Sequence, residues 1–265
     1  MMQVPQLRFP IAALGLLMLA GCGQQPASTG TPIDLIVAGD LVLTMDEQNS
    51  VLAGGAVAVD DGRIVAIGPL DEITGEYAAA EFLPGAERVV MPGLINGHTH
   101  AAMSLLRGIA DDLALEEWLM SYIFPTEVRF VDADFVRIGT ELACWEMIRG
   151  GTTTFVDMYY FPDAVAEAVE SCGLRALIAP TVIDQKSPDA ENGQDAIDKA
   201  VAFVERWQGR NNRVIPIISA HSVYTVPPDV LVKTREAALE LGIPISIHIS
   251  ETQAELATSR QRYQN

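Results

Sequence analysis

The chain has only four histidines, His98, His100, His221 and His248. They stand in Asn96-Gly-His-Thr-His100, Ser219-Ala-His-Ser222 and Ile247-His-Ile-Ser-Glu251, each at the end of an apolar, strand-like run. On extended chain the side chains at i and i+2 share a face, so His98 and His100 point the same way. Two imidazoles so placed can hold one ion, and imidazole suits zinc. A catalytic zinc takes about three protein ligands and keeps an open position for water, and His248 from a later strand is the candidate third ligand. A single histidine at a strand end is more often a hydrogen-bonded core or surface residue. The metal reading rests on the His-x-His pair together with the other strand-end histidines. Glu251 follows His248 closely enough to serve as a general acid/base beside that ligand; its blander role is a solvated glutamate at a helix start.

The elements that must position these residues alternate. Apolar strand runs are expected at Leu94–Ile95, Thr152–Val156, Arg175–Val182, Val214–Ser219 and Ile243–Ile249. Helices are expected between them at Asp134–Arg149, Pro162–Ser171, Glu191–Trp207 and Pro227–Leu241, each stopping at or near a glycine. Strands alternating with helices imply an α/β fold with a parallel sheet and right-handed crossovers. The spacing suits either a (β/α)8 barrel or a doubly wound sheet, and in both the C-terminal strand ends carry the site. Residues 33–90 read differently, as a short β module. Asp34–Thr44 forms two strands or a bent one, and Gly55–Ile67 pairs about the Asp61-Gly62 turn.

Residues 1–32 are read as lying outside the fold. Arg8 precedes an apolar run, Ile11–Ala20, about half the ~20 residues that a spanning helix needs. Residues 1–21 read as a signal peptide. Leu19-Ala-Gly-Cys22 resembles the bacterial lipoprotein lipobox, which implies lipidation at Cys22 and export to the cell envelope. Residues 22–32, polar with two prolines, read as a tether. Cys144 and Cys172 sit in no CxxC or Cys/His cluster and are expected as free thiols in helices. With 35 acidic residues against 17 Lys and Arg, the formal charge of −18 argues against nucleic acid as a partner. No phosphate-cradling GxGxxG or GxxxxGK[ST] follows a strand, and the HxE…PCxxC deaminase signature is missing.

The stretch Val90-Met-Pro-Gly-Leu-Ile-Asn-Gly-His-Thr-His100 and its continuation to Leu113 resembles the strand-1 signature of the amidohydrolase superfamily. Phe124-Pro-Thr-Glu127, Ala220–Thr225 and His248-Ile-Ser-Glu-Thr252 agree with its 5-methylthioadenosine/S-adenosylhomocysteine deaminase and chlorohydrolase-like branch. The resemblance spans about residues 33–265. It implies a (β/α)8 barrel, residues 91–265 being its first part, and a β-sandwich to which residues 33–90 contribute the N-terminal half. Position by position, it implies that His98, His100 and His248 bind one divalent metal ion, zinc first and iron second. It further implies that Glu251 is the acid/base, that Glu127 holds ribose hydroxyls and that His221 contacts substrate. The implied reaction is hydrolytic deamination of an adenine nucleoside.

Two departures from the family pattern stand out. The family also uses a histidine after strand 6 and an aspartate after strand 8. A full barrel needs ~250 residues, and about 170 of the 265 follow Pro92. The expectation is therefore a truncated chain or a fragment, broken off after about strand 5. Adenosylhomocysteine-specific members carry an arginine near the end of strand 3, whereas Leu177–Asp184 here has none. Guanine or cytosine deamination and triazine chlorohydrolase-type chemistry remain open on the same site, as does a degenerate metal-binding lipoprotein. The implied partners are a nucleoside or heterocyclic amine and, through Cys22 alone, a membrane; the reading also allows a homo-oligomer.

Overall fold

The computed structural model describes residues 30–263, in two compact units that divide after Pro92. The signal segment, Cys22 and most of the tether lie outside the described residues. Thr31 and Pro32, assigned above to the tether, belong to the first strand.

The N-terminal unit is a mixed sheet. Strand β1 (Thr31–Leu43) is one continuous strand rather than two. It pairs antiparallel with β2 (Val51–Asp60), which turns through Asp61-Gly62 into β3 (Arg63–Pro69). Both turn residues have positive φ, 48° and 69°, as a two-residue hairpin loop of this hand requires. A helix that the β reading omitted, α1 (Leu70–Glu76), leads to β4 (Tyr77–Leu83), parallel to β1. The two-residue β5 (Val89–Val90) also joins β1. Ile33, Ile36, Ala38, Ala56, Ala58 and Ile73 form its core, with Ile73 covering the sheet from α1.

The second unit is a parallel sheet with helical crossovers. β6 (Leu94–Thr99) runs into a 3-10 turn, Ala101–Leu106. Then come α2 (Leu115–Glu117), a π turn at Trp118–Ile123, α3 (Phe124–Phe130) and α4 (Ala133–Arg149). There follow β7 (Thr152–Tyr159), α5 (Pro162–Cys172), β8 (Arg175–Val182) and α6 (Gly193–Trp207). The unit closes with β9 (Val214–Pro216), β10 (Ile218–Ser222), α7 (Pro228–Leu241), β11 (Ile245–His248) and α8 (Gln253–Tyr263). The run expected as one strand at Val214–Ser219 is thus split at Ile217.

The helix ends follow from local chemistry. Asp132 caps α4 by accepting from Phe135 N–H, and the Asn192 side chain caps α6 by accepting from Gln194 and Asp195. Glu191, placed in the helix above, therefore lies before the cap. Gly173 and Gly242 end α5 and α7 at φ 83° and 66°. Cys144 and Cys172 are free thiols on α4 and α5.

The sheet order, β6-β7-β8-β10-β11, repeats the chain order without reversal. A doubly wound sheet reverses at its switch point, whereas a barrel does not. Laid flat, four strand spacings would separate β6 from β11 by about 19 Å. Yet the His98 and His248 ring nitrogens, on those two edge strands, are 3.2 Å apart. The sheet must curl as a barrel wall does. Phe155, Ile178, Val165, Val169 and Phe203 fill the space between its strands and helices.

Candidate active site

His98 lies within β6 and His221 within β10; His248 ends β11, and His100 follows β6 directly. His98 Nε2 lies 3.3 Å from His100 Nε2 and 3.2 Å from His248 Nε2. A tetrahedral ion with nitrogens at 2.0–2.1 Å has ligand-to-ligand edges of about 3.3–3.4 Å, so these separations fit one divalent ion. Two of the three remaining ring nitrogens are engaged as such a site requires. His100 Nδ1 lies 2.7 Å from Met158 O, and His248 Nδ1 lies 2.8 Å from His221 O. A carbonyl can only accept, so both Nδ1 atoms carry the proton and both Nε2 lone pairs face the common point. Burial, with the neighbouring imidazoles adding to it, pulls the His100 pKa down to about 4, which keeps the ring neutral.

A buried carboxyl unmarked by the sequence reading anchors the His-Thr-His stretch. Asp157 on β7 accepts from Thr99 Oγ1 at 2.8 Å and from Ala101 N–H at 2.6 Å. Its Oδ2 has no hydrogen-bond partner among the described residues, and burial pushes its pKa up to about 6. Its one legible signal was an ionisable residue directly after the expected strand run Thr152–Val156.

Glu251 is exposed beyond β11, and its Oε2 accepts from Tyr224 Oη at 2.7 Å. Glu127 differs from the exposed helix glutamate that α3 alone would suggest. It is 2% exposed, and it accepts from Tyr159 Oη at 2.7 Å and Tyr160 Oη at 3.2 Å. Desolvation pushes its carboxyl up to about 7, against the pull of the two hydroxyls. Glu127, His221 and His100 line one cavity of about 50 Å³. His221 Nδ1 pairs with Thr225 Oγ1 at 2.8 Å, and burial holds its pKa down at about 3. The three tyrosines escaped sequence reading because nothing in their spacing ties them to either glutamate.

Comparison with known proteins agrees with this architecture. The profile described as the Amidohydrolase family matches residues 89–265, and an imidazolonepropionase-like composite domain profile from bacteria matches residues 55–80. A 5-methylthioadenosine/S-adenosylhomocysteine deaminase of Thermodesulfovibrio yellowstonii is 41% identical over 219 residues, 82% of this chain and 50% of that protein. A 5'-deoxyadenosine deaminase of Methanosarcina mazei is 41% identical over 231 residues, 87% of this chain and 52% of that protein. A zinc-bound adenosine deaminase structure from Xanthomonas campestris superposes with a TM-score of 0.85 at 34% identity, covering 89% of this chain and 54% of that one. A triazine hydrolase of Arthrobacter aurescens shares the fold at 19% identity and a TM-score of 0.77, over 87% of this chain and 56% of that one. The chain spans about half the length of the curated relatives it matches.

Proposed function

The chain belongs to the amidohydrolase family, and from that premise we propose that the whole protein is a metal-dependent hydrolytic deaminase of an adenine nucleoside. The observation that carries this reading is the convergence of three imidazole Nε2 atoms with an acid/base candidate just beyond the third. The deaminase names of relatives at 41% identity support the choice of substrate class.

His98, His100 and His248 would hold the ion. Bound there, a divalent ion supplies Lewis-acid activation of water near neutral pH. Glu251 works beside it. Tyr224 occupies Oε2, which leaves Oε1 to take the proton of the attacking water and pass it to the ring nitrogen next to the amino-bearing carbon. Water adds at that carbon, its remaining hydroxyl proton passes to the amino group, the C–N bond breaks and ammonia leaves. His221, neutral and tied through Nδ1, offers Nε2 to the substrate. Glu127 lines the same cavity, where a carboxylate can accept from paired ribose hydroxyls. With no arginine in Leu177–Asp184, the favoured substrate carries an uncharged 5' group, such as methylthioadenosine.

The test is turnover by the full-length protein, read as ammonia release from methylthioadenosine, adenosylhomocysteine, guanine and cytosine and as chloride release from a chlorotriazine. Glu251→Gln should lower turnover by about 10²–10⁴-fold and leave metal content unchanged. Turnover of the triazine or cytosine alone would overturn the nucleoside assignment. The proposal extends to location, with Cys22 as the lipidated anchor. Cys22→Ser should abolish acyl labelling and release the protein from the membrane fraction; unchanged partition would refute the anchor.

A further inference from the structure

Glu255 has no role in the chemistry above, yet its carboxylate is spent entirely on the backbone that carries Glu251. Thr252 Oγ1 accepts from Glu255 N–H at 3.0 Å, which caps the start of α8. The Glu255 side chain reaches back, its Oε1 accepting from Ser250 N–H and its Oε2 from Glu251 N–H, both at 2.8 Å. In an ordinary capping box the returning glutamate satisfies the amide of the cap residue. Here the buried carboxylate instead takes the two amides before the cap. The first of these belongs to Ser250, at φ 60°, a left-handed conformation that a serine rarely adopts. Between His248 and Glu251 the chain must therefore make a disfavoured turn, and Glu255 holds the turn from the far side.

We propose that Glu255 is a positioning residue for Glu251. Its two backbone bonds hold Ser250 in the left-handed region and so aim the Glu251 side chain. Tyr224 holds the same carboxylate at its head, so Glu251 is fixed at both ends. Without Glu255, Ser250 relaxes toward extended backbone, and the peptide bearing Glu251 rotates with it. The proposal rests on the acid/base role given to Glu251 above.

The experiment compares Glu255→Ala, Glu255→Gln and the double variant Glu255→Ala/Ser250→Gly in the full-length, zinc-loaded protein. Glu255→Ala should lower kcat about a hundredfold, with KM and zinc content near wild type. Amide hydrogen exchange across residues 249–252 should speed up. Glu255→Gln, which keeps one strong acceptor, should fall between. Ser250→Gly lowers the cost of the left-handed backbone, so in the double variant it should return about tenfold of the lost kcat. A kcat within about twofold of wild type overturns the proposal. So does a loss that Ser250→Gly leaves untouched, or one that tracks zinc content. If no substrate turns over, the deaminase reading fails by itself, and exchange at 249–252 decides this one: faster exchange in Glu255→Ala supports it, unchanged exchange overturns it.

Discussion

His98, His100 and His248 stand at strand ends, with His98 exposed and the other two half-buried, whereas Glu127 is almost wholly enclosed. The histidines are oriented by the main chain: Met158 O and His221 O fix two of the rings. Glu127 is oriented by side chains, the Tyr159 and Tyr160 hydroxyls. A carbonyl in a sheet cannot turn away, so the histidine cluster is as rigid as the sheet. A hydroxyl network in a low-dielectric pocket instead responds to protonation and to the loss of one partner. One region is built to hold geometry and the other is poised to titrate.

The hardest blow to that contrast is the loss of a ligand. His248→Ala should weaken metal binding beyond the 10–100-fold typical of losing an outer-shell partner, measured by metal content after dialysis. Because the sheet and not the ion orients His100, through Met158 O, melting temperature should fall far less than affinity. A variant that unfolds outright would mean that the ion, rather than the strand carbonyls, organises the cluster.

Glu127 should reveal itself through pH. Its folded pKa, up to about 7, lies above the ordinary carboxyl value of 4.5, so between those values the folded state holds a proton that the unfolded state has lost. Stability attributable to this group is therefore greatest below 4.5 and declines as pH rises through 7, by roughly 3 kcal/mol in all. Glu127→Gln should remove that slope, read by chemical denaturation from pH 4.5 to 8. An identical slope in the variant would make the pocket as pH-insensitive as the histidine site.

The smallest effect sharpens the same point. Tyr159→Phe deletes the shorter hydroxyl contact to Glu127 and should cost about 1–2 kcal/mol above pH 7, where the carboxylate is charged. Below pH 5 the cost should shrink. An equal cost at both pH values would assign the loss to packing.

The fold and half of the site were legible because they follow short periods. Alternating apolar runs, glycine stops and the Asp61-Gly62 turn are local signals, and each has its counterpart in β2–β3 and in α4 to α7. The His98-Thr-His100 pair could be read for the same reason, since a strand repeats every two residues. The amphipathic signal failed between Ala101 and Phe130, where 3-10, π and short α turns follow one another. That is the segment carrying Glu127.

The sequence by itself determined the chemistry on offer: which residues can ligate, which can move a proton, and that strands alternate with helices. Only the tertiary structure decided which of them meet. It chose the barrel-type curl over the flat, doubly wound alternative, and so brought His98 and His248, 150 positions apart, to a 3.2 Å contact. It buried Glu127 under tyrosines 32 and 33 residues away and turned an ordinary helix glutamate into one that titrates near neutrality. The physical reason is the same in both cases. Side-chain type and spacing are local properties of the chain, whereas desolvation and distance are set by which distant segments fold against a residue.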